Sequence, residues 1–327
     1  MLRKYYSLTL ILFLAVFIIA CQEEEYSLPT AESGLHNDCI KRTLGPNVVG
    51  LNIEFAYAMA LLPSEGKIVS AQVEASVAGA SGTYLENKSY YTNSSGQDVG
   101  IAIGDASVTT GTKTVVTFTK DTCAATLRYY YIIPEEARGK SVSFTFSAKA
   151  SNGQTVSYEM GPYNIAKMDM KLDLLAKDGT ACYISIADMA VYDAAGAAAN
   201  AAKIDLVYLY RSITGITFSH ALVSPANTEY LPDIILPSGV NNSTKSIKAW
   251  NLRDQQLARL QYGVFIDDVD FQQIDFANAP NYAINMKAEA GLWVETADGK
   301  YRAYVFVNKV DNTKKEMTLS IKRLQMK

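Results

Sequence analysis

Residues 141–163 have the sequence SVSFTFSAKASNGQTVSYEMGPY, and this stretch decides the fold of the first half of the chain. Apolar residues alternate with polar ones, which places one side of the segment in a core. The apolar positions of its first part are Val142, Phe144, Phe146 and Ala148. Asn152-Gly153 then predicts a type I′ turn, because both central residues of that turn need positive φ. The alternation resumes at Val156, so the segment is a β-hairpin.

The same period of two residues continues on the N-terminal side of this hairpin. It is clearest at 68–77, where every second residue is valine or alanine. Further strands are predicted at 51–61, 84–91, 98–103, 114–119 and 124–133. About seven short strands at this spacing predict an immunoglobulin-like β-sandwich over residues 35–165.

The pattern changes near residue 166, where we place a domain boundary. The alanine-rich segment after Asp193 predicts a helix with Asp193 as its N-cap, and 252–260 predicts a second short helix. Strands are predicted at 181–186, 204–210, 290–296, 301–308 and 317–322. The sequence therefore predicts a mainly β protein whose second domain, 166–327, is α+β and dominated by antiparallel sheet.

The first 25 residues predict export and lipid attachment. Arg3 and Lys4 precede an uncharged apolar run over 7–20, which ends immediately before Cys21. This arrangement is typical of a lipoprotein signal peptide over 1–20, with Cys21 as the acylated first residue of the mature chain. A membrane-spanning helix is the alternative, but fourteen residues at 1.5 Å each reach only about 21 Å, against a hydrocarbon core of roughly 30 Å.

The segment 21–34 predicts a flexible acidic tether, because it contains Pro29 and Gly34 and lacks periodicity. Its acidic run, Glu23 to Glu25, resembles the surface-export signal of Bacteroidota lipoproteins. The resemblance implies display on the outer face of the outer membrane. A solvated charge run in a linker is the alternative interpretation.

Composition excludes several classes of protein. Hydrophobic residues make up 49% of the chain, charged residues 19%, and the net charge is −3, which indicates a folded globular protein without a basic surface for nucleic acid. Tyrosines outnumber phenylalanines by 21 to 11, which favours strands and wet binding faces. Three cysteines remain besides Cys21. Cys39 and Cys123 form a disulfide or stay as thiols, and Cys182 is left over.

Few residues could carry catalysis. The two histidines, His36 and His220, lie in different halves of the chain, so no histidine pair is available for zinc or haem. We interpret His220 as structural and the acidic run at 266–271 as a solvated loop or strand edge. Asp268 and Asp270 are the alternative, as a calcium or hydrolase site. The sequence thus predicts no enzyme, no metal and no cofactor.

Aromatic side chains are better candidates for ligand binding. Trp250 lies in a polar stretch, and Trp293 alternates with Leu292 and Val294, so it faces away from them. Trp293 is either the buried anchor of the second domain or an exposed platform for a sugar ring. Tyr130 faces away from its two tyrosine neighbours, so at least one tyrosine there points outward. Trp250, Trp293 and Tyr130 are the candidate ligand-binding residues.

Five segments carry a family resemblance: NDCIKR (37–42), GPN (45–47), IEFAYA (53–58), PEEARG (134–139) and KIDLVY (203–208). Across most of the mature chain, the sequence resembles an uncharacterised domain-of-unknown-function family of Bacteroidota surface lipoproteins. Such lipoproteins look like accessory components of Sus-type nutrient importers, in which surface subunits capture glycans, peptides or cofactors for a TonB-dependent channel. The resemblance brings no catalytic motif and no functional residues.

These observations favour a non-catalytic surface lipoprotein of the outer membrane, held by its lipid anchor. It would capture a glycan, peptide or cofactor for import, with a TonB-dependent channel as its implied partner and no nucleic acid. One alternative is a structural or adhesive surface protein. The other is a hydrolase with an unrecognised carboxylate site at Asp268 or Asp270.

Overall fold

The alternating sequence of the first half forms antiparallel strands. The computed structural model describes residues 32–213 and 216–327, so the predicted signal peptide, Cys21 and the tether up to residue 31 lie outside the described residues. The strands are β1 (His36–Lys41), β2 (Asn52–Ala60), β3 (Ile68–Ala75), β4 (Tyr84–Leu85), β5 (Lys88–Thr92), β6 (Asp98–Ala102), β7 (Val108–Thr110), β8 (Lys113–Thr117), β9 (Ala124–Ile132), β10 (Ser141–Ala150) and β11 (Thr155–Asn164).

Two sheets of these strands pack face to face around an aromatic core. Their orders are β1-β2-β9-β4 and β11-β10-β3-β8-β7, and β5 and β6 form a separate ribbon. Phe55 on β2 lies 4.8 Å from Phe144 and 5.2 Å from Phe146 on β10, measured between ring centroids. Because the apolar positions of both sheets point inward, the predicted immunoglobulin-like sandwich is confirmed.

The turn of the hairpin differs from the prediction. Gly153 has a φ of +88°, whereas Asn152 does not have a positive φ. The Gly153 amide donates to the Ala150 carbonyl at 3.1 Å, and the Ala150 amide donates to the Gln154 carbonyl at 2.9 Å. Ser151 therefore joins the loop, which has three residues with glycine in the left-handed position. The type I′ prediction was wrong.

The second half contains two further five-stranded antiparallel sheets, ordered β12-β21-β20-β19-β17 and β14-β13-β15-β16-β18. Apolar residues of both sheets fill the core between them, among them Leu209, Leu222 and Val305. The strands are β12 (Asp169–Lys177), β13 (Tyr183–Ser185), β14 (Ala190–Tyr192), β15 (Leu206–Ile213), β16 (Ile216–Val223), β17 (Lys245–Ala249), β18 (Tyr282–Met286), β19 (Gly291–Glu295), β20 (Tyr301–Asp311) and β21 (Glu316–Gln325). The predicted α+β domain dominated by antiparallel sheet is confirmed.

Both predicted helices are present, and both are short. Helix α1 (Ala194–Ala199) follows Asp193, whose carboxylate accepts from the Gly196 amide at 2.7 Å. Helix α2 (Gln255–Ala258) has a single turn, because Asp254 caps it and Arg259 ends it with a φ of +55°. Among the described residues, no helix has the length and hydropathy of a membrane span.

A third helix, α3 (Asp268–Gln273), was not predicted. The Asp267 carboxylate accepts from the Val269 and Asp270 amides, and the Asp270 carboxylate accepts from the Asp267 amide at 2.8 Å. This capping box satisfies amides that the first turn leaves without partners. The interpretation of 266–271 as a loop or strand edge was therefore wrong: these acidic residues begin a helix.

Two side chains clamp the segment that joins the domains. The Asp268 carboxylate accepts from the Lys167 and Met168 amides at 2.7 and 3.0 Å. Arg138, between β9 and β10, donates to the carbonyls of the same two residues at 2.9 and 3.3 Å. It also pairs with Asp169 at 2.8 Å. The main-chain polar groups of this dipeptide are thus all bonded to side chains of the two domains.

An apolar cluster spans the same junction. Val48 of the first domain belongs to it, with Met168 of the connecting segment and Phe271 of α3. Leu51 of the first domain packs against its edge. The segments around α2 and α3 therefore cover the outer face of the sheet that contains β19 and also contact the first domain.

A buried ion pair holds these covering segments in place. Lys322 on β21 and Asp254 before α2 are fully buried, with Nζ and Oδ2 2.6 Å apart. Lys322 also donates to the Ile266 carbonyl at 2.8 Å, and Asp254 accepts from the Ile266 and Leu257 amides at 2.7 and 2.9 Å. Burial lowers the pKa of Lys322, and Asp254 opposes that change. Losing either partner would leave an uncompensated buried charge.

We expect the substitution Lys322→Met to lower the free energy of unfolding by about 3–5 kcal/mol, because Asp254 would stay buried without its cation. Urea denaturation measures this change. Lys300→Met is the matched control, since Lys300 is 62% exposed and pairs with Asp298 at 3.1 Å. Its loss should cost less than about 1 kcal/mol. Equal effects of the two substitutions would contradict a special role for the buried pair.

Candidate functional site

A groove of about 520 Å³ lies where the two domains meet. Domain interfaces are preferred places for ligand sites. The side chains that give the groove its chemistry are the polar Asn47, Asn164, Asp267 and Asp268 and the apolar Phe265 and Val269.

Phe265 forms the apolar wall of the groove, and Gly45 makes room for its ring. Gly45 has a φ of +77°, and a Cβ atom there would lie 2.3 Å from Cδ1 of Phe265. A side chain at this position would displace the ring and strain the backbone. Val269 on α3 extends the apolar surface to the rim, where 53% of it is exposed.

The polar wall is held by main-chain contacts. Asn47 donates from its side-chain amide to the Asn164 carbonyl at 2.8 Å, and the Ala166 amide donates to the Asn47 carbonyl at 2.8 Å. Asp267 is held by the capping box of α3, and Asp268 is held by its hydrogen bonds from the Lys167 and Met168 amides. Because each carboxylate oxygen accepts more than one hydrogen bond, fixed carboxylates can still accept from a ligand. The groove thus offers preorganised acceptors beside an aromatic ring.

The residues considered for catalysis have structural contacts. Asp268 binds the linker amides, and Asp270 closes the capping box. His220 is buried, with Nδ1 2.8 Å from the Tyr208 hydroxyl and Nε2 2.7 Å from Oδ1 of Asn312. Burial lowers the pKa of His220. Over the described residues, no group of three or more histidine, cysteine or acidic side chains is placed to hold a metal ion.

Trp250 lies outside the groove, at the end of β17, and 52% of it is exposed. The Lys248 ammonium lies 4.6 Å from the centre of its ring. Lys248 is itself held by the Ile284 carbonyl. The Trp250 ring therefore contacts an ammonium group that is held in place, and about half of the residue remains exposed to solvent.

Tyr130 also lies outside the groove, on the first domain. It is half-buried and faces away from Tyr129 and Tyr131, which are buried. Its ring stacks on that of Tyr84 at 4.9 Å with an interplanar angle of 17°. Tyr84 is the more exposed of the two rings. It was not a candidate from the sequence, because its pairing with Tyr130 joins the separate strands β4 and β9.

Trp293 is a buried anchor with 7% of its surface exposed. Its ring meets Phe271 edge-on at 5.6 Å and lies 4.7 Å from Tyr304. Leu292 and Val294, on the other face of β19, lie in the core between the two sheets. Both faces of the strand are thus covered, and the choice of Trp293 as a ligand platform was wrong.

The three cysteines that the structure describes form no disulfide. Cys39, Cys123 and Cys182 are free thiols. Burial raises the pKa of Cys39 to about 12 and that of Cys182 to about 11, so both behave as small apolar residues. Of the two possibilities for Cys39 and Cys123, the structure has separate thiols.

The groove could not be predicted from the sequence, because its walls come from three separated segments, 45–47, 164–166 and 265–269. No periodicity or spacing connects them. Two local signals lie in this region: the GPN segment at 45–47, which carries part of the family resemblance, and Asp268, which was the alternative calcium or hydrolase residue.

The comparisons with known proteins cover both domains. The crystal structure of a DUF4466 family protein from Parabacteroides merdae ATCC 43184 matches with a TM-score of 0.84 and 54% sequence identity, over 90% of this chain and 99% of that chain. This chain belongs to the DUF4466 family. The DUF4466 model, a domain of unknown function, matches residues 32–165, and a second such model, DUF8576, matches 166–326. The predicted domain-of-unknown-function family is confirmed.

Other comparisons add little about this DUF4466 protein. A variant of BcpA, the major pilin subunit of Bacillus cereus, matches with a TM-score of 0.27 and 11% identity over 44% of this chain and 48% of that chain, which is too little for any argument. Among curated proteins, no sequence matches. The groove of this chain is lined by residues from both matched regions, 32–165 and 166–326.

The two tryptophans of the chain should differ in fluorescence. With Trp293→Phe, the remaining Trp250 should emit at longer wavelength and be quenched several-fold more by acrylamide than Trp293 in Trp250→Phe, because Trp250 is 52% exposed and Trp293 7%. Circular dichroism checks that both variants fold. Equal quenching of the two folded variants would contradict the placement of these rings.

Proposed function

We propose that this DUF4466 protein is a lipid-anchored protein of the outer-membrane surface that captures glycans for import without chemical turnover. The groove between the domains carries this proposal. A sugar presents hydroxyl groups around its ring and an apolar C–H face. The groove offers fixed amide and carboxylate groups for the hydroxyls and Phe265 for the apolar face.

The anchor is the second part of the proposal. Acylation of Cys21 by more than one chain would give stable attachment, and the segment 21–34 would act as the tether. Tethering raises the effective concentration of the site near a transporter, so that weak binding is useful. The family resemblance supports a TonB-dependent channel of the Sus type as the partner.

Binding is favoured over hydrolysis by the contacts of the acidic residues. Asp268 and Asp270 hold the linker and the cap of α3, and a general acid or nucleophile would have to leave these partners.

Blocking the groove should weaken glycan binding. Val269→Arg places a long charged side chain at the rim, where Val269 is 53% exposed, so it should reduce affinity at least tenfold without loss of stability. Leu175→Arg is the matched control, because Leu175 on β12 is 51% exposed and lies outside the groove. A glycan array followed by calorimetry on the mature chain measures both.

The same experiment separates the alternatives. If Val269→Arg and Leu175→Arg bind glycans equally, the groove is not the site. If no glycan binds but a channel protein co-purifies with the chain, the structural or adhesive function replaces capture. Release of cleaved sugars, lost in Asp268→Asn, would favour the hydrolase.

Cys21→Ala should remove the anchor. We expect wild-type cells grown with a fatty-acid analogue to label the mature protein, and the variant to stay unlabelled, because the acylated sulfur is missing. Added protease should digest the wild-type protein on intact cells. An unlabelled or protected wild-type protein would refute surface attachment while leaving glycan binding in solution intact.

A further inference from the structure

A second pocket, of about 420 Å³, opens in the second domain between the turn after α1 and the turn between β19 and β20. It shares no lining residue with the groove between the domains. The side chains that line it include Lys203, Asp205, Asn242, Asp298, Lys300 and Tyr301.

Asp205 is the most buried ionisable side chain among the residues that line this pocket, with 3% of its surface exposed. Its Oδ2 accepts from the Ile186 amide at 2.8 Å, so it helps to hold the chain after β13. Burial raises the pKa of Asp205 to about 7, and the nearby Asp298 adds to the shift. The Ile186 amide, the Ala187 amide and the Thr244 side chain only partly oppose this change.

Three basic side chains around the pocket already have acidic partners. The pairs are Lys203–Asp188, Lys300–Asp298 and Arg323–Asp169. In the part of the chain that the structure describes, no cation forms an ion pair with Asp205. The pocket therefore contains one buried carboxyl group without a countercharge, which is costly when ionised.

Asn242 supplies a second acceptor. Its side-chain amide nitrogen donates to the carbonyls of Ala202 and Ile204 at 3.0 and 2.8 Å. Among the described residues, no donor is hydrogen-bonded to its Oδ1. An ammonium group has three donors and no acceptor, and it matches a carboxylate beside an amide oxygen.

We propose that this pocket binds a small ligand through a primary ammonium group, which pairs with Asp205. The ammonium group of the ligand provides the positive charge for Asp205, because Lys203, Lys300 and Arg323 already pair with other carboxylates. This site is independent of the glycan groove and of the proposed function.

Binding should depend on pH in a defined direction. Without a ligand, Asp205 is protonated below about pH 7. An ammonium ligand pairs with the ionised carboxylate, so binding below that pH releases the Asp205 proton. Affinity should therefore fall about tenfold for each pH unit below 7. The other titratable groups around the pocket are Asp188, Asp298, Lys203, Lys300, Tyr301, Arg323 and Lys327, and none is a histidine.

The test is calorimetry of the mature chain with 1,4-diaminobutane, and with 1,4-butanediol as the uncharged counterpart. We expect the diamine to bind at pH 8 and to bind roughly 100-fold more weakly at pH 5. At pH 6.5, buffers of different ionisation enthalpy should reveal proton release. The diol should not bind.

Asp205→Asn should abolish diamine binding, and Asp298→Asn at the exposed rim should retain it, since Asp298 already pairs with Lys300. Absence of diamine binding at pH 8, equal binding of the diol, or affinity independent of pH would each overturn the proposal. These three outcomes use the wild-type chain, so they hold even if Asp205→Asn does not fold. Loss of glycan binding in Val269→Arg with diamine binding intact would separate the two sites.

Discussion

The ion pair between Asp254 and Lys322 is the constraint on which the junction of the two domains depends. It is fully buried and holds Ile266 through both its amide and its carbonyl. Ile266 lies between Phe265, which forms the wall of the groove, and Asp267, which begins α3. Helix α3 in turn positions Asp268 against the linker amides. The buried ion pair thus helps to fix the wall of the groove at Phe265, which lies more than ten residues from Asp254 in the sequence.

The sequence was sufficient for the fold class because the relevant signals are local. Alternation with a period of two located β3, β10 and β11, since one face of each strand packs against the core. Asp193 before an alanine run was enough to place α1. The strands that were not predicted have weaker patterns. Leu175 on β12 is 51% exposed, and Asp173 interrupts the alternation of that strand with a φ of +57°.

The candidate site depends on contacts that local patterns do not encode. Trp293 could have been core or surface, because the covering of its strand is decided by segments twenty or more residues away. The acidic run at 266–271 has the composition of a loop, yet it forms a capped helix because Asp267 and Asp270 satisfy each other's amides. The walls of the groove meet through the Asn47–Ile165 bridge, which pairs residues far apart in the chain.

The apolar cluster shared by the two domains has a consequence for how such proteins diversify. The two family models meet between residues 165 and 166, but Val48 is buried in a cluster made largely by the other half. A recombination event at that junction would exchange the side chains that face Val48 and sever Arg138 from its acidic partner, Asp169. The halves are therefore expected to be inherited together, as a co-adapted pair.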